Sequence, residues 1–161
     1  MSTALVSPAD TPLTVLTVAV DDPDSLLALL PAEGALAWVR DGNGLVAWGE
    51  AARVEFSGAE RFSRAQRWWS AFCADAVVDD RVGVPGSGPV AFASFAFDPS
   101  PGASVLVVPR VVVGRRDGVA WMTVVGDDVD PVSALRPVSA PVAPVGLRYA
   151  HGSVEVTAWL A

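Results

Sequence analysis

The sequence contains no lysine; all 11 basic residues among its 161 are arginine. A Walker-type phosphate loop, which needs a lysine to reach the phosphates, is therefore excluded. There is a single cysteine, Cys73, and a single histidine, His151. No intrachain disulfide can form, which fits a reducing compartment. Neither a histidine cluster nor a cysteine cluster can hold a metal. A Ser–His–Asp or Cys–His arrangement would have to use His151, and its neighbour Gly152 marks a turn, so a solvated loop histidine is expected there. Long apolar runs are also missing. Val15–Val20 and Val105–Val113 are strand-length, far short of the roughly eighteen residues that span a bilayer. The N-terminus lacks the basic and apolar regions of a secretory signal. A cytoplasmic protein without a membrane partner is expected.

What is present is acidic and apolar. Net charge is −7 and the sequence pI is about 4.5. Such a surface repels nucleic acid and anionic lipid, and the only basic run is Arg115-Arg116. The chain is 52% hydrophobic with mean hydropathy +0.41. Its length suits one domain, and the apolar fraction exceeds what a free-standing domain requires.

Thr14–Val20 alternates as a strand does. Asp22-Pro23 reads as an N-cap with proline in the first turn of a short helix to Leu30, which Pro31 ends. Ala35–Arg40 and Leu45–Phe56 are strand-like and flank Asp41-Gly42-Asn43-Gly44, a hairpin signal. Gly58–Asp80 predicts the one long helix, with Phe62, Ala65, Trp69, Phe72 and Ala76 as its apolar stripe. Gly83–Pro89 is a breaker segment. Val90–Phe97 is apolar on both faces and reads as an interior strand. Val105–Val113 and Val119–Val125 flank a second hairpin turn at Arg115–Gly118, and Leu147–Ala150 with Val154–Val156 suggest a third. The expected fold class is α+β, a mostly antiparallel sheet with one long helix. The expected organisation is a flexible N-terminus at 1–13, a β-rich region at 14–126 with its helix near 58–80, and a Pro/Asp/Ala-rich linker at 127–144.

The search for chemistry finds no constellation. Asp127, Asp128 and Asp130 lack the spacing of a calcium loop and read as solvated. Asp79-Asp80 reads as the polar end of the helix. Gly83, Gly86 and Gly88 precede a proline and a strand, not the helix that a dinucleotide loop requires, and read as a flexible connection. Trp68-Trp69 could form a stacking platform, but the acidic charge and the helical setting favour core or interface packing. Cys73 has no adjacent base and reads as a small apolar residue. No catalytic, cofactor-binding or metal-binding residue is assigned.

Several segments in order nevertheless resemble one family. They are Trp38–Arg40 with Gly44–Ala51, Gly58–Phe62 with Trp68 and Trp69, Pro89–Asp98, Val107–Arg110, and the tail Leu147–Tyr149 with Trp159. From Thr14 onward the chain resembles the N-terminal portion of isochorismate synthase. That enzyme is one of the chorismate-utilising group, with anthranilate synthase component I, aminodeoxychorismate synthase component I and salicylate synthase. One departure is Ala93, where many relatives would have glycine; either small residue suits a crowded strand.

The resemblance implies an enzyme that binds chorismate and Mg²⁺, with a lysine-activated water and a glutamate general acid producing isochorismate. It places the lysine, that glutamate and the metal-binding glutamates in a C-terminal catalytic half, so none is carried onto this chain. Residues 145–161 would be the approach to that half, which is the implied partner. The 161-residue chain alone is then expected to be inactive, a scaffold with no cofactor of its own. The alternatives are a non-enzymatic interaction or small-molecule-binding module, or a segment of a salicylate or anthranilate synthase.

Overall fold

The computed structural model describes residues 13–100 and 102–126. They form nine strands, one α-helix and a short 3-10 turn: β1 (Thr14–Ala19), the 3-10 turn (Leu26–Leu29), β2 (Leu36–Arg40), β3 (Asn43–Trp48), β4 (Ala52–Phe56), α1 (Arg61–Asp75), β5 (Val77–Asp80), β6 (Phe92–Ser94), β7 (Ser104–Val108), β8 (Val111–Arg116) and β9 (Val119–Val125). The larger sheet has the order β2-β3-β8-β9-β1-β5 and the smaller β4-β7-β6. Every pairing is antiparallel except β1 with β5. The α+β class with a mostly antiparallel sheet is what the pattern of elements required.

Two hairpin turns sit where the sequence signals them. Asp41-Gly42 (φ 51° and 76°) and Asp117-Gly118 (φ 51° and 81°) are the two-residue loops, closed by the pairs Arg40↔Asn43 and Arg116↔Val119. Positive φ at both central residues matches the right-handed twist of the flanking strands.

The runs Leu45–Phe56 and Val105–Val113 are not single strands. Each bends in the middle and changes sheet. β3 pairs with β8 at Trp48↔Val111, and β4 pairs with β7 at Ala52↔Val108. Three residues, 49–51, therefore oppose two, 109–110, which is a bulge. The ladder is carried across it by Arg110 N–H donating to Gly49 O (3.3 Å) and Ala51 N–H donating to Val108 O (2.9 Å). Gly49 takes φ +68°, and a Cβ there would lie 3.0 Å from Arg110 Cβ. Pro109 brings no N–H to satisfy at the bend.

The bend creates two apolar layers. On one face of the large sheet, Leu26 and Leu29 cover Val46, Val111, Val113, Met122 and Val124. On the other, Val15, Phe56, Leu106, Val108 and Val125 pack with Ala65 of α1.

Four local expectations are corrected. Asp22 does not cap a helix: its carboxylate accepts from Arg115 Nη1 (2.8 Å), and only the 3-10 turn forms. The long helix stops at Asp75, because Ala76 is extended and the β-branched pair Val77-Val78 adds β5 to the sheet beside β1. The expected stripe packs into the second layer at Ala65, Trp69, Phe72 and Ala76 and departs at its first member. Arg61 and Ala65 are buried while Phe62 is 53% exposed. Val90–Phe97 yields only the three-residue β6, at the edge of the small sheet. Beyond it, the carbonyls of Ala96 and Phe97 turn to the Arg61 guanidinium. The third expected hairpin lies outside the described residues.

Candidate functional site

A cleft of about 860 Å³ opens between α1, the β6 edge and the large sheet. α1 supplies Phe62, Ala65 and Trp69, while β6 and the residue after it supply Phe92 and Phe95. Leu45 and Leu106 line it from the two sheets, and Trp38 of β2 stands at its margin, 78% exposed. Phe62 and Phe95 meet at 4.6 Å between ring centroids. Among the described residues, Gln66 and the two indoles carry the only polar side-chain atoms in the lining, and no charged side chain reaches it.

The remaining wall is Gly86 with Pro89–Ala91. The sequence reading of this stretch as a flexible connection is overturned, since Gly83–Gly88 is tied down repeatedly. Asp80 Oδ1 accepts from the N–H groups of Val82 (3.0 Å) and Gly83 (3.1 Å), and its Oδ2 accepts from the Ser87 hydroxyl (2.6 Å). Gly88 N–H donates to the buried Thr17 Oγ1 (3.1 Å), which itself bonds Thr123 Oγ1 (2.8 Å). Trp121, 1% exposed, donates its indole N–H to Gly86 O (3.2 Å). Burial by itself would raise the Asp80 carboxyl. The hydrogen bonds from Ser87, Val82 and Gly83 outweigh it and hold the group below its ordinary value. The adjacent Asp79 is held low chiefly by the hydrogen bond from Arg81.

The other singled-out residues fall into place individually. The amides of Gly83 and Gly88 are already donated, so the glycine loop offers no phosphate cradle there. Trp68 and Trp69 stack on Phe72 at 5.6 and 5.4 Å within the second apolar layer, and Trp69 also faces the cleft. Cys73 is half-buried, and desolvation pushes its thiol up, away from thiolate character. Arg115 is occupied with Asp22, Gly42 O and Pro23 O, so Arg115-Arg116 makes no free basic patch. Asp127, Asp128, Asp130, His151 and Trp159 lie outside the described residues.

Sequence reasoning missed Arg61. It is 7% exposed and donates to the carbonyls of Gly58 (3.2 Å), Ala96 (3.0 Å) and Phe97 (2.9 Å). An arginine on the sheet-facing side of an amphipathic helix reads as solvated until the loop it clamps is known.

Among the described residues no group of three or more His, Cys, Asp or Glu side chains converges, and no helix is long and apolar enough to cross a membrane. A family model described as chorismate binding enzyme matches residues 18–128. No curated protein and no solved structure matches the chain.

Proposed function

We propose a scaffolding role for this chain, which belongs to the chorismate binding enzyme family: it is the N-terminal, non-catalytic part of an isochorismate synthase, and its apolar cleft seats the catalytic half. One observation carries the reading. The cleft is aromatic and, among the described residues, carries no cation. Chorismate is a dicarboxylate, and burying it here would strip its hydration without returning a counter-charge. An apolar protein surface loses nothing of that kind and gains from every aromatic it covers. The chemistry of isochorismate formation, and the Mg²⁺ that accompanies it, then belong to the catalytic half. The described residues offer no converging acidic set that fits Mg²⁺, and no step is derived through the ion.

The test is made on the purified 161-residue chain. It is expected to bind the apolar dye anilinonaphthalene sulfonate and to self-associate as concentration rises, with Trp38→Ser weakening dye binding. A chain that binds no dye and stays monomeric would overturn the scaffold reading. So would conversion of chorismate to isochorismate by the chain itself.

A further inference from the structure

We propose that β2 is a docking edge and that its occupant is the β2 of a second copy of this chain, laid antiparallel about a two-fold axis through Trp38. The inference is separate from the scaffold reading, because it concerns a sheet edge and not the cleft.

The larger sheet ends in β2 and β5, the smaller in β4 and β6. An open edge offers unpaired main-chain groups to any extended chain, and proteins that stay apart guard it with charge, proline, bulges or shortness. β4 is guarded by Arg53 and Glu55, both exposed and paired at 3.7 Å. β5 carries Asp79 and Asp80 in its four residues, and β6 is only three residues long. β2 has none of these devices in its middle. It runs Leu36-Ala37-Trp38-Val39-Arg40, pairs with β3 without a bulge, and keeps its one charge at the last position.

The hairpin fixes which groups of β2 are free. Arg40 and Asn43 close a two-residue loop and exchange hydrogen bonds, so by alternation the main-chain groups of Trp38 and Leu36 also point to β3. Those of Ala37 and Val39 point out of the sheet. Among the described residues neither finds a main-chain partner elsewhere.

A second β2 matches these groups in register. With Trp38 opposite its own copy, each Ala37 exchanges both main-chain hydrogen bonds with the opposing Val39. Trp38 then occupies the close, non-hydrogen-bonded position, where aromatic pairs across strands are favourable. Its side chain is 78% exposed in the single chain and has the most area to cover. Each Arg40, its side chain 91% exposed, lies opposite Leu36 and diagonal to the opposing indole, within reach of the ring face. No like charges meet along the ladder. A foreign strand would have to supply this match, whereas β2 supplies it to itself. The net charge of −7 opposes approach at long range, and salt screens that repulsion.

The experiment is sedimentation velocity on the 161-residue chain across a concentration series, with amide exchange on the same samples. A dimer is expected, strengthened by added salt. Exchange at Ala37 and Val39 should slow as concentration rises, while that at Trp38, already bonded to β3, stays constant. Ala37→Pro removes one outward N–H from each copy without touching the β2–β3 bonds, and is expected to weaken dimerisation by about tenfold or more. Ala37→Val keeps the N–H and leaves the dimer in place, as does Phe62→Ser in the cleft. If the proline variant fails to fold, the concentration dependence of wild-type exchange decides alone. A wild-type chain that stays monomeric at high salt overturns the proposal. So does Ala37→Pro dimerising as wild type does, which would leave the scaffold reading standing. Ala37 and Val39 amides protected equally at every concentration would mean an edge covered from within the chain, and would overturn it as well.

Discussion

Replacing Gly114 with alanine places one methyl group against the largest fully buried side chain in the described region. Gly114 sits on β8 directly opposite Trp121 on β9. A Cβ built there falls 2.7 Å from Trp121 Nε1 and closer still to Cε2 and Cζ2. Real Cβ atoms do not approach heavy atoms so closely, so the indole must move. It has little freedom to do so: it is 1% exposed, and its N–H is tied to Gly86 O, above which the cleft wall is built. The backbone is not the issue, because Gly114 does not take a positive φ. Overpacking of this kind costs about 1–3 kcal/mol, and a rigid neighbour puts the change at the upper end. For a domain of this size that is a fall in Tm of roughly 5–15 °C. Urea unfolding followed by near-ultraviolet circular dichroism at low protein concentration would read it. Trp121→Phe supplies the control, since the smaller ring removes the clashing edge. The double variant should then be less destabilised than the two single changes summed, by about 0.5–3 kcal/mol. If Gly114→Ala unfolds with the wild-type midpoint, or if the two changes simply add, the steric argument is refuted.

Thr17→Val keeps the shape of the side chain but leaves Gly88 N–H and the Thr123 hydroxyl without their partner, a loss of about 1–3 kcal/mol by urea titration; converting Thr123 to Val as well should recover part of it. The Asp80 carboxyl has a folded-state pKa below its unfolded value, so its contribution is complete above about pH 4 and disappears as pH falls further, through the folded value. Wild type should therefore lose more stability than Asp80→Asn when the titration is carried from pH 5 downward, and parallel losses would count against the carboxylate as the loop's tether. Because burial raises the Cys73 thiol, iodoacetamide at neutral pH should modify it more slowly than free cysteine, and fast labelling would show that the thiol is more open than its half-buried position implies.

The sequence by itself determined the elements whose causes are local. Asp41-Gly42 and Asp117-Gly118 force the two hairpin turns through residues that tolerate positive φ. The alternation in Thr14–Val20 and Val119–Val125 makes strands of both. The absence of lysine was visible without any coordinates, as were the order and spacing of the segments that resemble chorismate-utilising enzymes. Tertiary structure decided whatever depended on a distant partner. The runs Leu45–Phe56 and Val105–Val113 look continuous because strand-like residues lie on both sides of Gly49-Glu50 and of Pro109-Arg110. Only their mutual pairing, three residues against two at Gly49–Ala51 and Pro109–Arg110, bends them into separate sheets. Val77–Asp80 reads as more helix until β1 offers a parallel edge to join. Asp22 reads as a cap until Arg115, 93 residues away, takes its carboxylate. The cleft is the extreme case. Its lining comes from β2, β3, α1, the Gly86–Ala91 stretch, β6 and β7, and no local pattern links them, because proximity between such segments is fixed by sheet order and not by sequence distance.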